Sequence, residues 1–343
     1  MSSPHMFRLS QQKPVNQNEA GFRIKADATN FPALKGMSIY KVVLNPKGIR
    51  EPHWHANADE LGYCLNGSVI VSFYNTYDVK ETFLVQTGEA FFIPSGALHY
   101  IENVGNSSAE LILQFSHENP EEFGLPNTVG MFTNAVLGNT WAVKQEVMTA
   151  LKRPLIDQFA VLRPDSTQIS PELRYTNPYR FSLESAQPML EASGGSARMA
   201  RQNSWPILKR QALYSLLLTD QGMREPHWHP QTGELGYVKE GNGRMSILNP
   251  EGKIDTYLLH PGDIYFVPKA YPHHIENLGP GQLHFLIFFD QAMPGDVGFS
   301  GSIRSFSNDV LGAVLKTDPQ FFDQLQKYYK DLFIVDRINS IDQ

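Results

Sequence analysis

Arg50-Glu51-Pro52-His53-Trp54-His55-Ala56-Asn57-Ala58-Asp59-Glu60-Leu61-Gly62-Tyr63 decides the fold, because the chain writes it twice. Arg224-Glu225-Pro226-His227-Trp228-His229-Pro230-Gln231-Thr232-Gly233-Glu234-Leu235-Gly236-Tyr237 shares ten of its fourteen residues without a gap. Side chains at i and i+2 of a strand point to one face, so His53 and His55 reach the same point while Trp54 faces away. The chain then turns through Ala56 to Asp59, and Glu60 opens the next strand as a carboxylate ligand. A third histidine closes each set. Gly88-Glu89-Ala90-Phe91-Phe92-Ile93-Pro94-Ser95-Gly96-Ala97-Leu98-His99 precedes Asn103, and the stretch from Gly262 to His273 repeats it before Asn277. His53 and His227, Glu60 and Glu234, His99 and His273, and Asn103 and Asn277 are all 174 positions apart. Two metal centres are therefore expected, with ligands His53, His55, Glu60 and His99 in one and His227, His229, Glu234 and His273 in the other. Register selects His273 over its neighbour His274, which alternation turns outward.

Composition narrows the partners. The 343 residues suffice for two ordinary domains, each with its own core. A net charge of -6 and the absence of a Lys/Arg run argue against nucleic acid and against an anionic membrane surface. Cys64 is the single cysteine, which excludes an internal disulfide and thiolate metal sites and reads as a small core residue. Residues 1–18 lack an apolar signal core, and no stretch approaches ~18 apolar residues, so a cytoplasmic location is the default expectation.

The echo extends over nearly the whole chain, about 4–169 against 178–343, with Phe7-Arg8-Leu9 answered by Phe181-Ser182-Leu183. We expect an N-terminal domain at 1–152, a crossing at 153–180 and a C-terminal domain at 181–343. Short strands rich in Val, Ile, Tyr and Phe, broken at Pro46-Lys47-Gly48 and Pro94-Ser95-Gly96, predict an all-β fold of two jelly-roll barrels. Asn66-Gly67 and Gly241-Asn242-Gly243 read as hairpin turns within one sheet. Leu111 to Phe115 and Phe285 to Phe289 read as the last buried strand of each barrel. Linking stretches, Ser116 to Val129 and Asp290 to Ser302, lead to short helices capped by Thr133 and Ser307. A second helix opens at Asp318-Pro319, and its apolar face of Phe321, Phe322, Leu325 and Tyr329 calls for a cover such as another subunit.

His-x-His-x4-Glu with Pro-x4-His-x3-Asn resembles the two cupin motifs, and their duplication makes the chain resemble a bicupin. Within bicupins it most resembles the oxalate decarboxylase group, through Asn30-Phe31-Pro32, Gly194-Gly195 and the Arg-Glu-Pro-His-Trp-His lead-ins at Arg50 and Arg224. The resemblance implies Mn in each barrel on the eight residues above, with dioxygen as co-reactant; by ligand type Fe, Zn and Ni also fit. It implies that Arg50 and Arg224 grip a substrate carboxylate, a task suited to a guanidinium fork. Arg50 lies three residues before His53, which on a regular strand turns the arginine away; either Pro52 and Pro226 break the pleat and bring it inward, or it is a surface arginine paired with a neighbour. A lid glutamate that moves a proton falls, by ungapped count, on Glu122, with Asp296 in the second copy. Here His117-Glu118-Asn119-Pro120-Glu121-Glu122-Phe123-Gly124 replaces the Ser-Glu-Asn-Ser-Thr lid of the decarboxylases, so Glu118 and Glu121 compete for the role, and Glu122 and Asp296 could instead cap the turn. The reaction implied is oxalate to formate and carbon dioxide, catalysed in the first barrel, by a trimer or hexamer. Other cupin chemistries remain open: an oxidase or dioxygenase, a sugar isomerase, or a non-catalytic binding or storage protein that retains its metal.

Overall fold

Strand Gly48–His55 buries Gly48, Arg50, Glu51, His53 and His55, so its alternation slips once, between Arg50 and Glu51, and is otherwise regular. That slip governs what the first barrel can do. The computed structural model describes residues 3–153, 156–165 and 167–341. Every strand pairing in it is antiparallel, as expected when short strands follow one another without intervening helices.

The chain forms two units. In the first, Gln12–Ser185, a seven-stranded sheet runs in the order Arg180–Phe181, Ala90–Ile93, Glu60–Asn66, Ala109–Phe115, Ser38–Leu44, Gly21–Ala26, Val15–Asn18. A six-stranded sheet runs Glu122–Gly124, Gly48–His55, Leu98–Asn103, Ser68–Tyr74, Lys80–Gln86, with Ala160–Leu162 also on Gly48–His55. Val42, Leu44 and Leu111 from the first sheet meet Val69, Val71 and Ile101 from the second in one core. Burying such a side chain contributes about 1.5–3 kcal/mol, so this layer carries the fold. The second unit, Met1–Gln11 with Ala186–Gln343, repeats both sheets.

The units cut across the boundaries expected from sequence. Met6–Phe7 pairs with Ile264–Val267 of the second unit, and Arg180–Phe181 pairs with Ala90–Ile93 of the first. The two matching arms have thus changed places. The crossing at 153–180, of which residues 154, 155 and 166 lie outside the described residues, packs within the first unit and supplies its strand Ala160–Leu162.

Two other expectations need correction. Asn66-Gly67 does not join strands of one sheet: Glu60–Asn66 pairs in the larger sheet and Ser68–Tyr74 in the smaller, so the turn carries the chain across the barrel. Gly67 makes that change of sheet at φ +93°, a conformation that favours glycine. Ala109–Phe115 is, as expected, the last strand of its barrel to be buried almost throughout, and its central place between Glu60–Asn66 and Ser38–Leu44 explains an apolar run interrupted only by the buried Gln114. The linking stretches also contain strands, Glu122–Gly124 and Val297–Gly298, each laid beside the ligand strand of its barrel.

The helix caps behave as expected: Thr133 and Ser307 accept hydrogen bonds from the Val136 and Val310 amides. Asp318 accepts from Gln320, but the element it caps is a short 3₁₀ helix, Pro319–Gln324. Leu325 and Tyr329 therefore lie beyond it, and only Phe322 of the anticipated face is buried. No helix among the described residues is long and apolar enough to cross a membrane.

Candidate metal centres

Strand Gly48–His55 brings in His53 and His55, the start of Glu60–Asn66 brings in Glu60, and Leu98–Asn103 brings in His99. Their ligand atoms lie within 4.8 Å of one another, and all four residues are buried. His53 Nδ1 bonds the Glu51 carbonyl at 2.8 Å, His99 Nδ1 that of Ala97 at 2.9 Å, and His55 Nδ1 that of Glu121 at 3.3 Å. Anchored on Nδ1, each ring is fixed with Nε2 available for the shared point.

At that point the polar atoms are orphaned. His55 Nε2 and His99 Nε2 lie 3.3 Å and 3.4 Å from Glu60 Oε2, yet neither they nor either Glu60 oxygen has a hydrogen bond. Burial acts to raise the pKa of Glu60, but His55 and His99 overcome it and hold the carboxyl at about 2. Burial, the Arg50 charge and the other two rings push His53 well below its usual range, so it is the neutral, ligating form. An ionised carboxylate this deep demands a partner cation. Three imidazoles and one carboxylate fit a divalent ion, and Asn103 is not among them: it bonds the carbonyls of Leu44 and Ser107 and clamps a loop.

The slip in the ligand strand now shows its effect. His99 pairs with His53 and Ile101 with Arg50, so Glu51 and Pro52 together oppose Tyr100 alone, a β-bulge that turns Arg50 inward. Arg50 is 3% exposed. Its Nη1 donates to the Phe159 carbonyl at 3.0 Å, its Cζ lies 4.7 Å from the centre of the Phe159 ring, and its Nη2 meets Glu122 Oε1 at 2.5 Å. Glu122 Oε2 accepts from Arg23 Nη1 at 2.8 Å. Burial acts to raise the Glu122 carboxyl, but the Arg50 and Arg23 charges outweigh it and hold it at about 2. In this closed arrangement Glu122 is an ionised clasp without a proton to give. Arg23, Arg50, His53, His55, Glu60, Glu122 and their apolar neighbours enclose a cavity of about 10 Å³, room for about one water.

Glu118 and Glu121 stand elsewhere. Glu118 accepts from the Gly36 amide, whereas Glu121 is exposed and offers only its backbone carbonyl to His55. Phe159 holds φ at 67°, as its counterpart Phe333 does at 68°. Such a conformation costs a bulky residue about 1–3 kcal/mol, and in both barrels it aims a carbonyl at the buried arginine.

The second centre repeats the cluster of His227, His229, Glu234 and His273 and its bulge. His274 points outward, 3.6 Å from Glu276. The differences are chemical. Asp296 reaches both Arg224 and His229 Nδ1, the latter at 2.7 Å. Burial would lower His229, but Asp296 and Glu234 on its two nitrogens raise it to about 9. Tyr265 donates to Glu234 Oε1 at 2.6 Å, where the first barrel has Phe91 and leaves Glu60 Oε1 without a partner. Glycines make room for both rings: a Cβ on Gly62 or Gly236 would lie 2.1 Å from Phe91 or Tyr265.

The cupin family model matches residues 7–149 and again 181–321. The chain belongs to the cupin family. Over 90% of its length this cupin is 26% identical to the oxalate decarboxylase OxdC of Bacillus subtilis (strain 168), 81% of which is covered. It is 24% identical to a probable oxalate decarboxylase of Arthroderma benhamiae, across 87% of this chain and 75% of that one. A germin-like protein of Arabidopsis thaliana, subfamily T member 3, is 32% identical over 38% of this chain and 59% of its own. Among solved structures, Bacillus subtilis oxalate decarboxylase at pH 4.6 superposes with a TM-score of 0.86 at 24% identity, covering 98% of this chain and 88% of that one. Another structure of that enzyme, from work on its Mn(II) centres, gives the same TM-score and identity with 98% and 90% covered.

Sequence reading of this cupin missed Tyr265, Phe159 and Arg23. The Phe159 and Phe333 pair carries the 174-residue interval and was findable by it; Tyr265 and Arg23 break the repeat, facing Phe91 and Ala197. Tyr265→Phe is expected to weaken the second centre's metal affinity about 10–100-fold by freeing Glu234, leaving the first unchanged. A calorimetric metal titration resolving the two ions checks this, and an unaltered second step would refute the anchoring role.

Proposed function

We propose that the chain is a Mn-dependent bicupin that converts oxalate to formate and carbon dioxide at its first centre, through the eight-ligand set and the arginines described above. The observation that carries the reading is the convergence of a buried three-histidine, one-glutamate cluster with the guanidinium of Arg50 on one closed space. The likeness to oxalate decarboxylases over most of the chain supports the choice of substrate.

A bound divalent ion would supply Lewis acidity toward one carboxylate and, with dioxygen as co-reactant, one-electron chemistry. Arg50 would hold the distal carboxylate by its fork, anchored from behind by the Phe159 carbonyl. For oxalate to enter, Glu122 must leave the guanidinium, because the closed cavity holds about one water. Breaking the carbon–carbon bond releases carbon dioxide, and the remaining carboxylate takes up one proton to form its C–H bond. Released from Arg50 and Arg23, Glu122 regains ordinary carboxyl acidity and becomes the group that moves this proton. Asp296, tied to Arg224 and His229, gives the second centre a supporting role. Exposed Met131, Phe132, Val136 and Trp141 in the first unit and Phe306, Val310, Val314 and Phe321 in the second suit a homo-oligomer, of trimeric or hexameric form by resemblance. We assign the chain to the cytoplasm, in keeping with its lone, buried Cys64, whose thiol burial pushes up to about 12.

The test pairs elemental analysis of protein purified without chelators with formate release from oxalate at mildly acidic pH. About two Mn per chain with one formate per oxalate is the expected result. Metal without formate would discard the reaction.

A further inference from the structure

The two centres differ by one charge. Around the first, the carboxylates of Glu60 and Glu122 face the guanidinia of Arg50 and Arg23. Around the second, Asp296 pairs with Arg224 and, among the described residues, with no second guanidinium, because Ala197 occupies the register position of Arg23. Counting these carboxylates, Glu234 included, and their paired guanidinia with neutral imidazoles and a divalent ion, the first centre holds two net positive charges and the second holds one. The first thus matches a dianion.

Geometry places the extra charge where it is useful. Arg50 comes from the six-stranded sheet and Arg23 from the seven-stranded one, and each takes a different oxygen of one carboxylate, at 2.5 Å and 2.8 Å. Arg23 is itself braced: Asn16 accepts from its Nε at 3.0 Å, and the rings of Phe159 and Tyr40 lie 5.1 Å and 5.8 Å from its guanidinium. The site is therefore a cradle for a bridging carboxylate, occupied by Glu122.

We propose that Arg23 is a specificity-determining residue of the first centre, which with Arg50 forms a two-guanidinium cradle that receives the far carboxylate of a metal-bound dicarboxylate when Glu122 withdraws. This rests on the metal reading of the site given above, though not on the reaction. A monocarboxylate bound through the metal leaves the cradle to Glu122 and gains nothing from Arg23. A dicarboxylate exchanges one bridging carboxylate for another and keeps two charge-assisted contacts. The second centre, lacking the residue, has no such preference.

The test is calorimetric binding of oxalate and of acetate to metal-replete protein without dioxygen, for the parent chain, Arg23→Met and Arg23→Lys. Metal content near two per chain certifies the fold of each variant. Arg23→Met is expected to weaken oxalate binding roughly tenfold or more and acetate binding by less than about threefold, the difference being one charge-assisted contact. Arg23→Lys should fall between, retaining the charge without the fork. Equal weakening of the two acids, unchanged oxalate binding in Arg23→Met, or a parent chain that binds neither acid would each overturn the proposal. Arg23-dependent oxalate binding without formate release would sustain the cradle while removing the decarboxylase reading.

Discussion

Glu60→Gln is expected to lower the metal content from about two ions per chain to about one, and to reduce formate release at least about a thousandfold. Glu60 is the only anionic ligand of the first cluster, it is buried, and its two oxygens have no hydrogen-bond donor of their own. An amide keeps the shape and loses the charge that a hard divalent cation requires. The metal's stabilisation of developing charge is worth several kcal/mol, and about 1.4 kcal/mol corresponds to tenfold in rate. Glu234→Gln removes the other ion, so comparing the two variants by elemental analysis and formate assay separates the centres. Full activity in a Glu60→Gln protein holding one ion would transfer catalysis to the second barrel.

Arg50→Met is expected to cut kcat/KM for oxalate by roughly 10²–10³ while leaving both metal ions in place. The guanidinium is not one of the four ligands; it spans the Phe159 carbonyl and Glu122. Removing it deprives substrate of its fork and leaves Glu122 with Arg23 alone. Arg50→Lys keeps a point charge but no bidentate geometry, so it should recover only part of the loss. Steady-state kinetics with metal analysis decides, and undiminished turnover in Arg50→Met would remove the arginine from the mechanism.

Much of the fold and of both centres was legible because the chain contains its own comparison. The constant interval between His53, Glu60, His99 and their counterparts identified both clusters, and period-two alternation then fixed which side chains share a face. Alternation failed at Arg50, where it predicted an outward side chain, because a bulge inserts one residue and no residue type announces it. Proline at 52 and 226 was the only hint. Glu122 was placed by counting, but its clasp with Arg23 was invisible: that partner lies 99 positions away on another sheet, at a position the second copy fills with Ala197. Repeats make shared features readable and hide the differences. Tyr265 is lost for the same reason, one hydroxyl added to an otherwise equivalent ring. The domain boundaries misled because similarity in sequence marks ancestry, whereas strand pairing marks where a segment is stabilised.

That last distinction reaches beyond this chain's geometry. Because Met6–Phe7 completes the sheet edge beside Ile264–Val267 while Arg180–Phe181 completes the one beside Ala90–Ile93, each ancestral copy has given its leading arm to the other. An edge strand left bare is an open template for aggregation, so neither copy can be deleted without uncovering its sibling. The exchange makes the two halves of the chain interdependent: a cut between them would leave each sheet edge without the arm that covers it.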